Sequence, residues 1–278
     1  MRDISIGHAG IVFSFLLVGC AFWPDHAIAQ QDMASLVRRS GFVFAGRIEK
    51  LGAATAGLQA TPETAVVRVT RVIDRQPPVD EIAGHLVTVR LRDAGQAKPG
   101  RDAVFFTYVY GGGSSLGLNE VSELPDGNGI DQSVRAARDA IADAALRARL
   151  ESADIVAAAK VLRTGRVESG TPRGEHEPMW WTATLEVVTA FKGDASKGAI
   201  VSVRFPSNDD AYWGAAPKPK PGDTAIFLLQ PARAVAPLVP AEPGERRETE
   251  ALRGLFLADR LDEVGLGEAE RVRRLLNK

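Results

Sequence analysis

A mainly β fold with accessory helices is expected: two small antiparallel barrels in tandem, each preceded by a helix, and a further helix at the C-terminus. Three observations carry this. Short runs rich in Val, Ile, Thr and Phe alternate apolar and polar residues. Pro-Gly pairs punctuate those runs at matching places. Four segments also recur in the same order, at separations of 112 to 122 residues.

The first segment has the layout of a secretory signal. Arg2 precedes an apolar run, Ile11 to Val18, and Pro24 ends it. Ala27-Ile28-Ala29 then places small residues before a cut at Gln30. The run falls short of the roughly 20 apolar residues that a membrane-spanning helix needs, as does every later one. Export to the periplasm or beyond is therefore expected. Leu17-Val18-Gly19-Cys20 offers an alternative, a lipobox that would lipidate Cys20 and anchor an outer-membrane lipoprotein. Cys20 is the only cysteine, which excludes an intramolecular disulfide and a cysteine-ligated metal. Without Arg2, Asp3 and Asp25, the chain from Gln30 carries no net formal charge. It has no strong field to draw it onto nucleic acid, and none is expected as a partner.

From Gln30 the expected order is a first barrel repeat (30–130), a linking helix with a second repeat (131–240), and a helical tail (241–278). A short helix, Asp32 to Arg39, leads into Ser40-Gly-Phe-Val-Phe-Ala45, which is matched to Ser152-Ala-Asp-Ile-Val-Ala157. Thr64 to Ile73 lines up with Thr182 to Phe191, and Val87 to Leu91 with Val201 to Phe205. Lys98-Pro-Gly-Arg-Asp-Ala-Val-Phe-Phe106 recurs as Lys220-Pro-Gly-Asp-Thr-Ala-Ile-Phe-Leu228. Alternation puts Val67, Val69 and Arg71 on one face and Arg68 on the other, the pattern of half-buried antiparallel strands. Between the repeats, Asp131 to Leu150 has Val134, Ala137, Ile141, Ala144, Ala145 and Ala148 on one helical face. Arg135–Asp139 and Asp143–Arg147 lie four apart on its outside. After a linker, Pro237 to Gly244, a charged helix is expected from about Glu245 to the end, interrupted at Gly265-Leu-Gly267.

The carrying residues are Phe42-Val-Phe-Ala-Gly46, the strand ending Phe191-Lys-Gly193, and the Pro-Gly-x-x-Ala-φ-Phe close of each repeat (φ apolar). Over roughly 85 residues per copy, this pattern resembles the netrin-like, tissue-inhibitor-of-metalloproteinase branch of the OB-fold, a small Greek-key barrel. The tandem layout is similar to that of bacterial exported proteins of unassigned function. The branch's disulfides are absent, so its inhibitor activity is not carried over.

Chemical motifs are sparse. Gly113-Ser-Ser-Leu-Gly117 matches the G-x-S-x-G nucleophile elbow, with Ser115 as nucleophile. No helix follows it, and the only downstream histidine is His176, in the other repeat. His85 and His176 are too few for a histidine metal site, and Asp209-Asp210 lacks calcium-loop spacing. Neither a metal nor a cofactor is expected. Arg68, Arg90 and Arg92 share the face opposite the Val67 and Val89 set and would form a basic patch on a barrel wall. Tyr108, Tyr110, Trp180, Trp181, Tyr212 and Trp213 gather near strand and loop ends, where exposed aromatics would make a partner-binding edge. The expectation is a non-enzymatic binding or scaffolding protein of the cell envelope, engaging another envelope or extracellular protein. The alternatives are a hydrolase using Ser115 and a lipoprotein held through Cys20.

Overall fold

The computed structural model describes residues 33–75, 82–111, 115–167, 178–207, 213–235 and 254–277. The leader, Cys20, His176, Tyr212 and the linker Pro237 to Gly244 lie outside them. The chain divides into two compact units at Ala137/Arg138, inside a long helix. Among the described residues, no helix is long and apolar enough to cross a membrane.

The first unit opens with a helix described over 33–39 (α1), whose Val37 is fully buried. Five strands follow: β1 (Phe42–Leu51), β2 (Thr64–Arg75), β3 (Leu86–Arg90), β4 (Asp102–Gly111) and β5 (Gly117–Pro125). They close into a barrel in the order β1-β2-β3-β5-β4, with β4 returning to β1. All neighbours are antiparallel except β3 and β5. This is OB-like strand order. The interior is filled by period-2 residues: Val67 and Val69 of β2, Val87 and Val89 of β3, and Phe42, Phe44 and Phe105. The three Phe rings stack in series at 5.1 and 5.3 Å. Full burial of one such side chain contributes roughly 1.5–3 kcal/mol.

The second unit begins in α2 (Ile130–Ser152) and continues through β6 (Ile155–Arg166), β7 (Trp180–Lys192), β8 (Ile200–Pro206) and β9 (Thr224–Pro231). After the short α3 (Ala232–Val235) come β10 (Leu255–Phe256), β11 (Glu263–Val264) and α4 (Ala269–Leu276). The sheet order is β10-β8-β7-β6-β9-β11, and β10 also pairs with β9. The pairings β6–β7, β7–β8, β8–β10, β10–β9 and β9–β6 thus complete a ring with the first unit's scheme, including one parallel pair.

The two rings match in register as well as order. β1 against β2 is interrupted at Val43/Phe44, Ala45/Gly46 and Ile48/Lys50. β6 against β7 is interrupted at Val156/Ala157, Ala158/Ala159 and Val161/Arg163. These are equivalent positions, because Phe42 faces Thr107 on β4 as Ile155 faces Leu229 on β9. A β-bulge turns the following side chains to the other face. Three shared bulges therefore mean that both barrels curve alike. The matched segments keep their sequence alignment on β2/β7, β3/β8 and β4/β9. On the opening strand Phe42 corresponds to Ile155, one residue later than the sequence match placed it.

The expected C-terminal helix is present, but its extent from about Glu245 is corrected. Leu255 and Phe256 form β10, which occupies the place of Leu118 and Asn119 in the first barrel. Among the described residues of that stretch, only Ala269–Leu276 is α-helical. Where β5 runs unbroken, its counterpart is split into β10 and β11 by a 3-10 turn at Arg260–Asp262. That turn is held by Asp262, which is fully buried. Its carboxylate accepts from Arg149 of α2 at 2.5–2.9 Å, from Gln230 Nε2 at 3.1 Å, and from the amides of Ala258 and Asp259 at 2.8 and 2.9 Å.

The buried stripe of α2 also differs from the expected one. Val134, Ala137, Leu146 and Leu150 are buried, while Ala144, Ala145 and Ala148 are exposed. Leu146 and Leu150 pack with Val156, Leu228, Val272 and Leu275. Asp143, expected to pair with Arg147, receives Arg271 at 2.7 Å and Arg274 at 3.2 Å from α4. At the helix end, Lys192 Nζ donates to the carbonyls of Leu150 and Glu151 at 2.7 and 2.8 Å. It satisfies two carbonyls that a helix C-terminus leaves without intrahelical donors.

Candidate functional site

Among the described residues, the outer wall of the first barrel carries the most accessible of the predicted aromatics. Tyr108 and Tyr110 alternate onto the outside of β4 and are 47% and 37% exposed. Register sets Arg90 of β3 beside Asn119 of β5, and Asn119 beside Tyr108. The Arg90 guanidinium lies 5.0 Å from the Tyr110 ring centroid, a cation–π contact. Tyr110 in turn rests on Gly117, where a Cβ would stand 2.8 Å from the ring. A glycine is therefore required for the ring to lie flat. Beside it, Thr88 is buried on the same face, its hydroxyl bonded by the backbone N–H and hydroxyl of Thr55 at 2.8 Å. The Glu63 carboxyl is held below the ordinary carboxylate range by a hydrogen bond from Thr61, then by its own backbone and by Arg90. The result is a charged, preorganised platform of Arg90, Tyr110 and Tyr108, with Leu86 and Val109 also exposed on the first barrel.

The three arginines do not form one patch. Arg68 pairs with Glu49 at 2.8 Å and lies opposite Leu86, four residues along β3 from Arg90, or about 13 Å. Arg92 Nη1 donates to the Val121 carbonyl at 2.8 Å, and its amide donates to Glu120 at 3.1 Å. Burial pushes the Glu120 carboxyl up, partly offset by that amide. Arg71, assigned by alternation to the side of Val67, is carried outward by the bulge at Thr70. There it grips Asp131 at 2.8 and 2.9 Å and Asp126 at 3.0 Å. These contacts, Asp131 first, hold its guanidinium well above the usual range. No sequence period marks a bulge of one residue.

The described tryptophans of the second unit pack within it. Trp213 is 2% exposed, its ring 6.1 Å from Trp180, and Trp180 meets Phe256 edge-on at 5.2 Å. Trp181 is half-buried on the inner face, 6.5 Å from Phe205. Ser115 is half-buried at a bend before β5, and its proposed partner His176 lies outside the described residues. Among the described residues, no group of three or more His, Cys, Asp or Glu is placed to hold a metal ion.

A cavity of about 540 Å³ in the second unit is lined by Pro217, Asp223, Thr224, Arg260 and Glu263. Here the two barrels differ in charge. Arg101 pairs with Glu123 in the first, whereas Asp223 and Glu263 occupy the equivalent places in the second. Burial, and then Asp223, raise the Glu263 carboxyl. A carboxyl raised on folding contributes stability in full below its unfolded value, about 4.3, and that contribution is lost as pH rises through the folded value. Thermal unfolding followed by Trp180, Trp181 and Trp213 fluorescence is thus expected to shift upward as pH falls from 7 toward about 4.3. Glu263→Gln is expected to flatten that slope, and an unchanged slope would assign the effect elsewhere.

No protein-family model matches this chain, and no curated protein is similar to it in sequence.

Proposed function

We propose that this is an exported, non-enzymatic binding or scaffolding protein of the cell envelope, built from two OB-like barrels of the netrin-like type. It engages another envelope protein through the Arg90–Tyr110–Tyr108 wall. One observation carries the reading: two tyrosines are accessible on the side of a closed barrel, one of them in cation–π contact with an exposed arginine. Tyr and Arg are the residue types that most often dominate binding energy, because they offer large rigid area and directional polar contacts. Neither is needed for the barrel interior, which Phe42, Phe44 and Phe105 already fill. OB-like barrels present ligands on this kind of wall.

The test is a photo-crosslinking amino acid at Tyr108 in the full chain, expressed in an exporting host, with the exposed Arg163 position of the second barrel as control. A discrete adduct is expected at 108 and not at 163. Arg90→Ala with Tyr110→Ala is expected to weaken it by about 2 kcal/mol, roughly 30-fold in Kd. Equal adducts at both positions would overturn the reading. Fluorophosphonate labelling that disappears in Ser115→Ala would replace it with the hydrolase.

A further inference from the structure

The internal duplication gives every position on the first barrel's wall a counterpart whose surroundings can be compared. Across the first wall the register runs Thr64, Arg90, Asn119, Tyr108. Across the second it runs Thr182, Arg204, Phe256, Gln230. The arginine and the threonine are common to both walls. The cover is not.

On the second wall, Phe256 is fully buried under Trp213 and Trp180. Trp213 reaches that place on the connection between β8 and β9, seventeen residues long (207–223). The corresponding connection between β3 and β4 (91–101) has eleven residues and no aromatic among them. The first wall therefore keeps Tyr108 exposed and Asn119 only half-buried where the second has an indole seated on it. Gly117 and Gly254 are equivalent as well, each one residue before the strand position that Leu118 and Leu255 share. The second barrel sealed its wall with its own tryptophan loop, and the first barrel did not.

We infer that the first wall docks a loop tipped by an aromatic side chain, Trp or Tyr, presented by a partner protein, in the place that Trp213 takes on the second barrel. This rests on the binding reading above and names the chemistry of its partner. Asn119 stands where the second barrel has Phe256, so the docked ring meets an amide beside Tyr108 and Arg90 rather than a second apolar ring. That surface favours an indole N–H or phenol O–H over a phenyl ring, because the amide provides a hydrogen-bond partner.

The chain has only three tyrosines, Tyr108, Tyr110 and Tyr212, so 3-fluorotyrosine labelling of the full-length protein yields three fluorine signals, assignable by single Tyr→Phe changes. The probes are acetyl-Ala-Trp-Gly-Ala-amide and the same peptide with Ala in place of Trp. The Trp peptide is expected to shift the Tyr108 and Tyr110 signals saturably, with half-saturation at or below about 1 mM. The Tyr212 signal is expected to stay in place, and the Ala peptide to bind at least tenfold more weakly. Arg90→Ala is expected to reduce the shift, and its fold is verified by an unchanged thermal transition. Equal shifts with both peptides, or none with either, overturn the inference. If the peptides fail while position 108 still cross-links to an envelope protein, the binding reading stands and only the aromatic tip is wrong. If both fail, both fall.

Discussion

Replacing Asp262 with Ala is expected to cost about 4 kcal/mol and to unfold the second barrel selectively. Asp262 has no exposed side-chain surface, and its partner Arg149 retains 17% exposure. Removing one member of a buried ion pair leaves the other charge without compensation, which typically costs 3–5 kcal/mol. More is lost than the pair. The amides of Ala258 and Asp259, and Gln230 Nε2, all donate to this carboxylate. The buried Ala258 amide is then left without its acceptor, while Gln230 Nε2 keeps the Arg149 carbonyl. The 3-10 turn it organises joins β10 to β11, so its loss also releases the strand that completes the ring between β8 and β9. Chemical denaturation checks this directly. Among the described residues every tryptophan, Trp180, Trp181 and Trp213, lies in the second unit. Their fluorescence should therefore move to lower denaturant, while tyrosine signals from Tyr108 and Tyr110 of the first barrel stay in place. A tryptophan midpoint shifted by less than 1 kcal/mol would mean that the carboxylate is dispensable.

Gly193→Ala is the second large effect, expected to cost about 3 kcal/mol. The residue has φ +86°, a left-handed conformation that costs an L-residue roughly 1–2 kcal/mol. A Cβ would also stand 2.2 Å from the Asp154 carbonyl oxygen and 3.1 Å from the Ile155 Cα. Both neighbours are backbone at the start of β6 and cannot rotate away, so overpacking adds a further 1–3 kcal/mol. The clash lies next to Lys192, whose amine closes the carbonyl end of α2. The substitution should therefore disturb the helix as well as the β6–β7 pairing. Gly165→Ala serves as the control. Nothing lies within 4 Å of its would-be Cβ and its φ is not positive, so a change within about 0.5 kcal/mol is expected, as for ordinary surface sites. Equal effects at 193 and 165, read by the same denaturation curves, would remove the steric argument.

What could be read without coordinates was whatever depends on residues near one another in the chain. Period-2 alternation in Val67 and Val69, or in Val87 and Val89, marks a strand with one buried face. The repeated Lys-Pro-Gly turns locate β4 and β9, whose ends pair with the opening strands in a common register. Duplication could be seen because these local signals recur in order. The residue type at Gly193 was likewise visible, although its reason was not: the nearby Asp154 carbonyl belongs to a segment 39 positions earlier.

Tertiary structure decided the rest, and in each case the cause is a long-range partner that leaves no period behind. A two-residue strand such as Leu255–Phe256 has no alternation to detect, and its apolar, charged surroundings read equally well as one helical face. It is a strand because β8 and β9 both offer it backbone groups. Arg71 points outward because a single extra residue, Thr70, inverts the alternation. Trp213 is buried and Tyr108 exposed although both belong to the same aromatic class. Burial depends on which loop is long enough to fold back over its own barrel. Local patterning thus determined the first four strands of each repeat and their order along the chain. Which strand closes the second barrel, and which aromatics remain on the surface to bind, was settled only when distant segments met.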